Sequence, residues 1–186
     1  CLAGGCALNS VANGKITNNT SFQNVYIPPV AGDAGGAIGA AFSVWHEQLG
    51  HPRSFVMERP DWGPEYDTAT IQVALEKNES ELQSTGSKIA CYEDESKLCR
   101  ITAERIACGD VVGWFQGRME LGARALGHRS IVADPRRPNM KDILNARIKR
   151  REGFRPFSPS ILEEAVGEYF EYFQPSPFMT MTYRVR

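Results

Sequence analysis

Apolar positions in this chain alternate between two periods, one suited to helices and one to strands. Leu98, Ile101, Ile106 and Ala107 recur at helical spacing, which predicts an amphipathic helix over 96–107 with those side chains inward, ended by Gly109. A short apolar run over 111–115 then reads as a buried strand. Ala7, Leu8, Val11 and Ala12 share one side of a predicted helix over 6–16, preceded by the end of a buried strand at 1–3 and a Gly4-Gly5 turn. Residues 22–27 alternate as a strand and stop at Pro28-Pro29. Asp33 is placed to cap a helix running to about Leu49. Further on, 68–77 predicts a short helix, 78–87 a polar loop and 88–92 a strand. Asn139 is placed to cap a helix over 140–150 that carries Lys141, Arg147 and Arg151 near one side, and a last helix is expected over 161–173.

The segment 50–68 is rich in Pro, Gly and charge and interrupts both periods. The boundary falls there, giving a first domain at 1–52, a linker at 53–67 and a second, incomplete domain at 68–186. Mixed α/β and α+β character follows from strands and helices on both sides of the linker. The first residues read as the middle of a strand and the last as an alternating run without a closing turn, so the sequence reads as an excerpt of a longer polypeptide.

Composition adds little until charge is mapped along the chain. At 186 residues and 42% hydrophobic, the protein has enough apolar material for a core, and no run approaches the ~18–20 apolar residues of a membrane span. Five cysteines without metal-ligand spacing fit buried or half-buried free thiols in a reducing cytoplasm. Charge is unevenly distributed. Residues 113–159 hold 11 of the 21 Lys and Arg against four acids, a net +7, and leave the rest of the chain at −8. Arginine dominates, and its planar fork fits phosphate or carboxylate oxygens two at a time.

This basic stretch is dense in Gly and Pro, and Trp114, Phe115, Phe154 and Phe157 lie at its edges rather than between its charges. A shaped pocket for a compact anion fits that arrangement. A solvated basic face, or a nucleic-acid-binding module built on 118–155, stays open as the alternative. The strand–Gly4-Gly5–helix order is the geometry by which backbone amides approach a phosphate, with Asn9 one turn in and able to reach a base or ribose. An ordinary strand-to-helix turn explains it too and outweighs that reading on sequence physics, because a glycine pair alone is a weak motif. Gly35, Gly36 and Gly39 crowd one helix at a cost of roughly 0.5–1 kcal/mol each relative to Ala, which suggests a face that a backbone or nucleotide approaches closely. Asp33 is a plain cap, or a carboxylate directed at a metal that bridges phosphates.

Four segments carry a resemblance: LAGGCALNS at 2–10, PPVAGDAGGAIGAA at 28–41, GWFQGRMELGARALGHRSIVADPR at 113–136 and NARIKRREGFRPFSPSIL at 145–162. Their order resembles the O-carbamoyltransferase family of nodulation-protein U and of cephalosporin and aminoglycoside carbamoylation enzymes. The resemblance implies the end of an actin-like ATPase-type domain followed by a partial YrdC-like domain. It implies ATP-dependent transfer of a carbamoyl group from carbamoyl phosphate, through a carbamoyl-adenylate, to a hydroxyl of a sugar, antibiotic or other small molecule. ATP and a divalent metal, iron or magnesium, are the implied cofactors; nucleic acid and membrane are not implied partners, and the compartment is the cytoplasm.

Carried onto this sequence, Gly4, Gly5 and Asn9 match the nucleotide-contacting turn, and Asp33 matches a metal-ligating carboxylate. Arg118, Lys141 and Arg147 match basic residues around carbamoyl phosphate and the adenylate, as the catalytic set, with Arg124, Arg129 and Arg155 as further carbamoyl phosphate ligands. The chain departs from the family pattern at Cys6 (usually small and apolar), Ala123 (Pro), His128 (Asn) and Gly153 (often Pro), none of which removes a charge. The family's metal-binding His pair lies outside this sequence, so the isolated chain is expected to bind carbamoyl phosphate without turning over. A non-catalytic ATP-binding scaffold is a third reading.

Overall fold

The computed structural model describes residues 1–171 and 174–186. It is mixed α/β with one small two-stranded sheet among the described residues. The chain divides into two compact units. The first gathers Cys1–Gly63, Glu120–Leu126 and Ser158–Arg186; the second gathers Pro64–Met119 and Gly127–Phe157. The chain passes from the first unit to the second at 63/64 and returns to the first unit twice.

In the first unit the expected strands do not form a ladder. Residues 1–3 and 22–27 are extended, joined by a Leu2 N–H to Tyr26 carbonyl hydrogen bond of 2.9 Å. The expected helix over 6–16 is broken into a 3-10 turn, Gly5–Leu8, and two single-turn helices, α1 (Ser10–Asn13) and α2 (Ile16–Asn19). Asn9 causes the first break. Its side-chain oxygen accepts from Ala12 N–H at 3.1 Å, so it caps a new helix instead of continuing the old one. Buried Ala7, Ile27 and Ala31 form the core here, with Leu2, Leu8, Val25 and Met181 packed on it. Buried Asn13 ties that core to the distant C-terminal segment, donating to the carbonyls of Ala7 at 2.8 Å and Thr180 at 2.9 Å.

The helix expected from Asp33 to Leu49 is α3 (Gly35–Ser43), continued by a wider π turn, Val44–Gln48. Asp33 does not cap it with its side chain; Ala34 occupies the cap position, and only the Asp33 carbonyl is used, by Gly36 N–H at 3.0 Å. Of the three glycines, Gly35 has a packing reason, since a Cβ there would lie 2.1 Å from the Val30 carbonyl oxygen. Added Cβ atoms at Gly36 and Gly39 meet nothing within 4 Å.

In the second unit, α4 (Thr68–Lys77) matches expectation and is capped by the Asp67 side chain. The carboxyl of Asp67 is held below its usual range by the Thr70 hydroxyl and amide. Residues 78–87, read as a polar loop, instead contain α5 (Glu79–Ser84). Glu, Leu and Gln are good helix formers, and Gln83 bonds Glu79 across one turn, which offsets the polar composition. Residues 88–92 form no strand.

Next, α6 (Glu95–Cys108) starts at the Asp94 cap and ends at Gly109 in the left-handed region. Leu98 and Ala107 remain exposed, while Ile101 and Ile106 are half-buried. Strand β1 (Val112–Phe115) pairs antiparallel with β2 (Arg129–Val132), Val112 opposite Val132 and Phe115 opposite Arg129. It is half-buried in alternation rather than fully buried, as suits a two-stranded sheet open on one face.

The basic helix begins as α7 (Met140–Ile143) and widens into a π turn, Leu144–Lys149; Asn139 makes no side-chain cap. The last expected helix shrinks to a 3-10 turn, Glu163–Ala165, and α8 (Val166–Tyr169); its expected end at 172–173 lies outside the described residues. All five cysteines are free, and all are exposed rather than buried.

Candidate functional site

The first unit collects Gly4, Gly5, Asn9, Asp33 and Arg124. Gly4 has φ +95°, donates its N–H to the Ala31 carbonyl at 2.6 Å and accepts from Ala7 N–H at 3.0 Å, so the turn is pinned against residues 28–31. Gly4, Gly5 and Asn9 are exposed. Asn9 spends its oxygen on the α1 cap, which orders the turn but leaves that oxygen committed. Half-buried Arg124 enters from the 120–126 loop and donates to the Leu8 carbonyl at 3.1 Å, placing a guanidinium beside the glycine turn.

That loop is held at both ends. Glu120 Oε1 accepts from Leu126 N–H at 2.9 Å, and Leu121 N–H donates to the Pro60 carbonyl at 2.7 Å. Between them Gly122, at φ +106°, passes so close to Pro29 that an added Cβ would lie 2.1 Å from its carbonyl oxygen.

Exposed Asp33 makes no side-chain hydrogen bond or ion pair among the described residues. Among those residues no group of three or more His, Cys, Asp and Glu comes together to hold a metal. A lone carboxylate does not fit a metal site by itself, since divalent ions take four to eight ligands.

The second unit collects Arg118, Arg129, Lys141, Arg147 and Arg155. Its basic residues sort into two kinds. Several are consumed by the fold. The Arg129 guanidinium donates to the carbonyls of Gln116 at 2.7 Å, His128 at 2.9 Å and Gly117 at 3.1 Å, and lies 3.5 Å over the Phe115 ring. Arg129 thus clamps the loop end of the β1–β2 pair, where the connecting residues 116–128 leave the ladder. Arg137 donates to the Ala107 carbonyl at 3.2 Å, near the end of α6. Arg136 grips buried Asp134 with Nε at 2.8 Å and Nη2 at 2.9 Å, and its own amide adds a bond of 3.0 Å. Those donors hold the Asp134 carboxyl at about 2, well below the usual range. Arg155 pairs with Glu152 at 2.9 Å, between two exposed side chains where such a pair is easily exchanged for another anion.

Lys141 and Arg147 are of the other kind. Both are exposed, and neither makes an ion pair or side-chain hydrogen bond among the described residues. Lys149 and Arg150 share that state. Arg151, expected beside Lys141 and Arg147, turns back instead. It donates from Nε to Asn145 Oδ1 at 2.8 Å and lies 4.7 Å over the Phe157 ring. Arg118 is exposed immediately after the Arg129 clamp.

Sequence reasoning followed charge and so missed the residues that shape these loops. Asn13, Glu120, Asp134 and Asn145 are polar groups bonded to backbone or to arginine. Only their setting marks them: a single Asn inside a helix pattern or one Asp before Pro in a basic run is a faint signal.

Comparison with known proteins fits both units. The carbamoyltransferase N-terminus family profile matches residues 1–42, and the carbamoyltransferase C-terminus profile matches residues 103–186. The chain is 48% identical to the uncharacterized protein sll1178 of Synechocystis, 44% to nodulation protein NolNO of Sinorhizobium fredii and 37% to nodulation protein U of Bradyrhizobium diazoefficiens. Each alignment covers 100% of this chain, which spans 30%, 27% and 29% of those relatives' own lengths. With both profiles matched in order along one chain, the protein belongs to the carbamoyltransferase family.

Proposed function

We propose that this chain is part of an ATP-dependent carbamoyltransferase that takes its group from carbamoyl phosphate and delivers it, through a carbamoyl-adenylate, to a hydroxyl of a sugar, antibiotic or other small molecule. The observation that carries the reading is the sorting of the basic segment. Where Arg129, Arg136, Arg137, Arg151 and Arg155 are engaged by carbonyls, amides and carboxylates, Lys141 and Arg147 stand exposed with no acidic partner among the described residues, as do Lys149 and Arg150. Cations left unpaired in a segment of net +7 favour a small, doubly charged anion over plain solvent.

On this reading Arg118, Lys141 and Arg147 bind the phosphoryl oxygens and neutralise charge that develops there during displacement. Arg155 joins them by exchanging Glu152 for the ligand. Arg124 serves the glycine turn at Gly4 and Gly5, where ATP phosphates approach the backbone. Asp33 would supply one oxygen to a divalent metal, iron or magnesium, which needs further ligands besides this carboxylate. The actin-like and YrdC-like assignments and a cytoplasmic setting belong to the same proposal. Among the described residues no helix is long and apolar enough to cross a membrane.

The test is thermal unfolding of this chain with carbamoyl phosphate, inorganic phosphate, ATP or a short oligonucleotide at low and high salt. A ligand at 100 times its dissociation constant stabilises by about 2.7 kcal/mol. Carbamoyl phosphate should stabilise more than phosphate, and Lys141→Ala should remove the gain without lowering the unliganded midpoint. Stabilisation by oligonucleotide alone, fading with salt, would replace the proposal with a nucleic-acid-binding module.

A further inference from the structure

We infer that Asn145 is a positioning residue for the anion site, fixing where Arg155 and the 151–157 return stand relative to Lys141 and Arg147. The inference rests on the carbamoyl phosphate reading above. Asn145 is 1% exposed, the most deeply buried large side chain described, in the middle of a segment that is otherwise basic and open. It sits on the π turn beside buried Met140 and Leu144, so the helix holds it rigidly. Its amide nitrogen donates to the carbonyls of Gly153 at 3.3 Å and Arg155 at 3.0 Å. Its amide oxygen accepts from Arg151 Nε at 2.8 Å, and its own carbonyl accepts from Arg151 N–H at 3.0 Å.

The chain reverses at Arg150, a non-glycine residue at φ +47°, and comes back over this one side chain. Arg151 extends the brace by donating to the Pro156 carbonyl at 3.4 Å and covering Phe157.

Three features make this more than a packing role. Only a neutral amide both donates twice and accepts at this length; Asp would accept only, and Leu would do neither. The two carbonyls it binds belong to the loop that carries Arg155, so their partial negative charges are compensated by the amide rather than left beside the anion. Among the described residues the side-chain hydrogen bonds between the basic helix and 151–157 run through Asn145, so the placement of the loop that carries Arg155 against that helix depends on this amide.

The experiment measures dissociation constants for carbamoyl phosphate and for inorganic phosphate on this chain by calorimetry, with the thermal midpoint taken alongside. Asn145→Asp keeps the acceptor for Arg151 but faces the Gly153 and Arg155 carbonyls with a carboxylate. It should weaken carbamoyl phosphate at least tenfold and narrow its preference over phosphate. Arg151→Lys, which removes the planar brace from a half-exposed side chain, should weaken carbamoyl phosphate severalfold at an unchanged midpoint, and it carries the test if Asn145→Asp does not fold. Lys141→Ala should weaken both anions together. If Lys141→Ala loses binding while the folded Asn145→Asp and Arg151→Lys chains keep the wild-type ratio of the two anions, the positioning role is overturned. If the wild-type chain does not bind carbamoyl phosphate, or Lys141→Ala binds it as tightly as the wild type, the underlying reading is what fails.

Discussion

Replacing Gly122 by Ala should be among the most damaging single-atom additions in the first unit. Its cost can be built from two terms. At φ +106° a side chain is strained wherever it points, by on the order of 1–3 kcal/mol. The added Cβ would also lie 2.1 Å from the Pro29 carbonyl oxygen, a backbone atom on a buried residue that cannot rotate away. The loop must therefore lift, and the neighbouring Leu121 N–H to Pro60 bond of 2.7 Å is lost at about 1 kcal/mol. The sum is roughly 2–4 kcal/mol, or a midpoint drop of roughly 4–16 °C for a chain of this size. Lifting the loop also withdraws Arg124 from the Leu8 carbonyl, so hydrogen exchange at 5–9 should quicken.

Gly39→Ala is the control. It lies inside α3 with nothing within 4 Å of the added atom, and should be neutral or raise stability by about 0.5–1 kcal/mol. Scanning calorimetry of the two variants decides the matter. A midpoint for Gly122→Ala equal to or above that of Gly39→Ala refutes the close approach of the two loops.

Asp134 predicts an acid-sensitive step: its native carboxyl titrates at about 2, below its usual value near ~3.9, so the unfolded chain binds the proton more readily. The stability it contributes is present above roughly pH 4 and is lost as pH falls through about 2, and urea unfolding of Asp134→Asn should lack that part of the pH dependence. All five thiols are exposed and unpaired with one another, so a thiol reagent should modify five cysteines in the native chain as fast as after unfolding; two or more protected thiols would contradict the placement.

The sequence alone carried the elements with strong local signals. Glu95–Cys108 and Thr68–Lys77 are legible because each has an Asp cap, a run of good helix formers and, for the first, a terminal glycine. The uneven charge of 113–159 is legible because charge is counted without coordinates. The motif segments that mark the family are equally a property of order along the chain. Elements whose strand character depends on a partner were overestimated. Residues 1–3, 22–27 and 88–92 have strand-like patterns yet form no ladder among the described residues, and β propensity has little force without a neighbouring strand.

What only tertiary structure decided is which basic residues are spent and which remain. Arg129 and Lys141 look alike in sequence, but one is consumed by three carbonyls at the end of a hairpin while the other stands exposed. The helix expected to show Arg151 beside Arg147 instead reverses at Arg150 and folds Arg151 onto Asn145. Local periodicity fixes the direction of a side chain only while the helix lasts. Where backbone carbonyls are left without ladder or helix partners, they take the nearest strong donors, and arginine has the longest reach and the most N–H groups to give. Local sequence therefore set the supply of cations, and the unpaired backbone of the folded loops decided which of them stay available to a ligand.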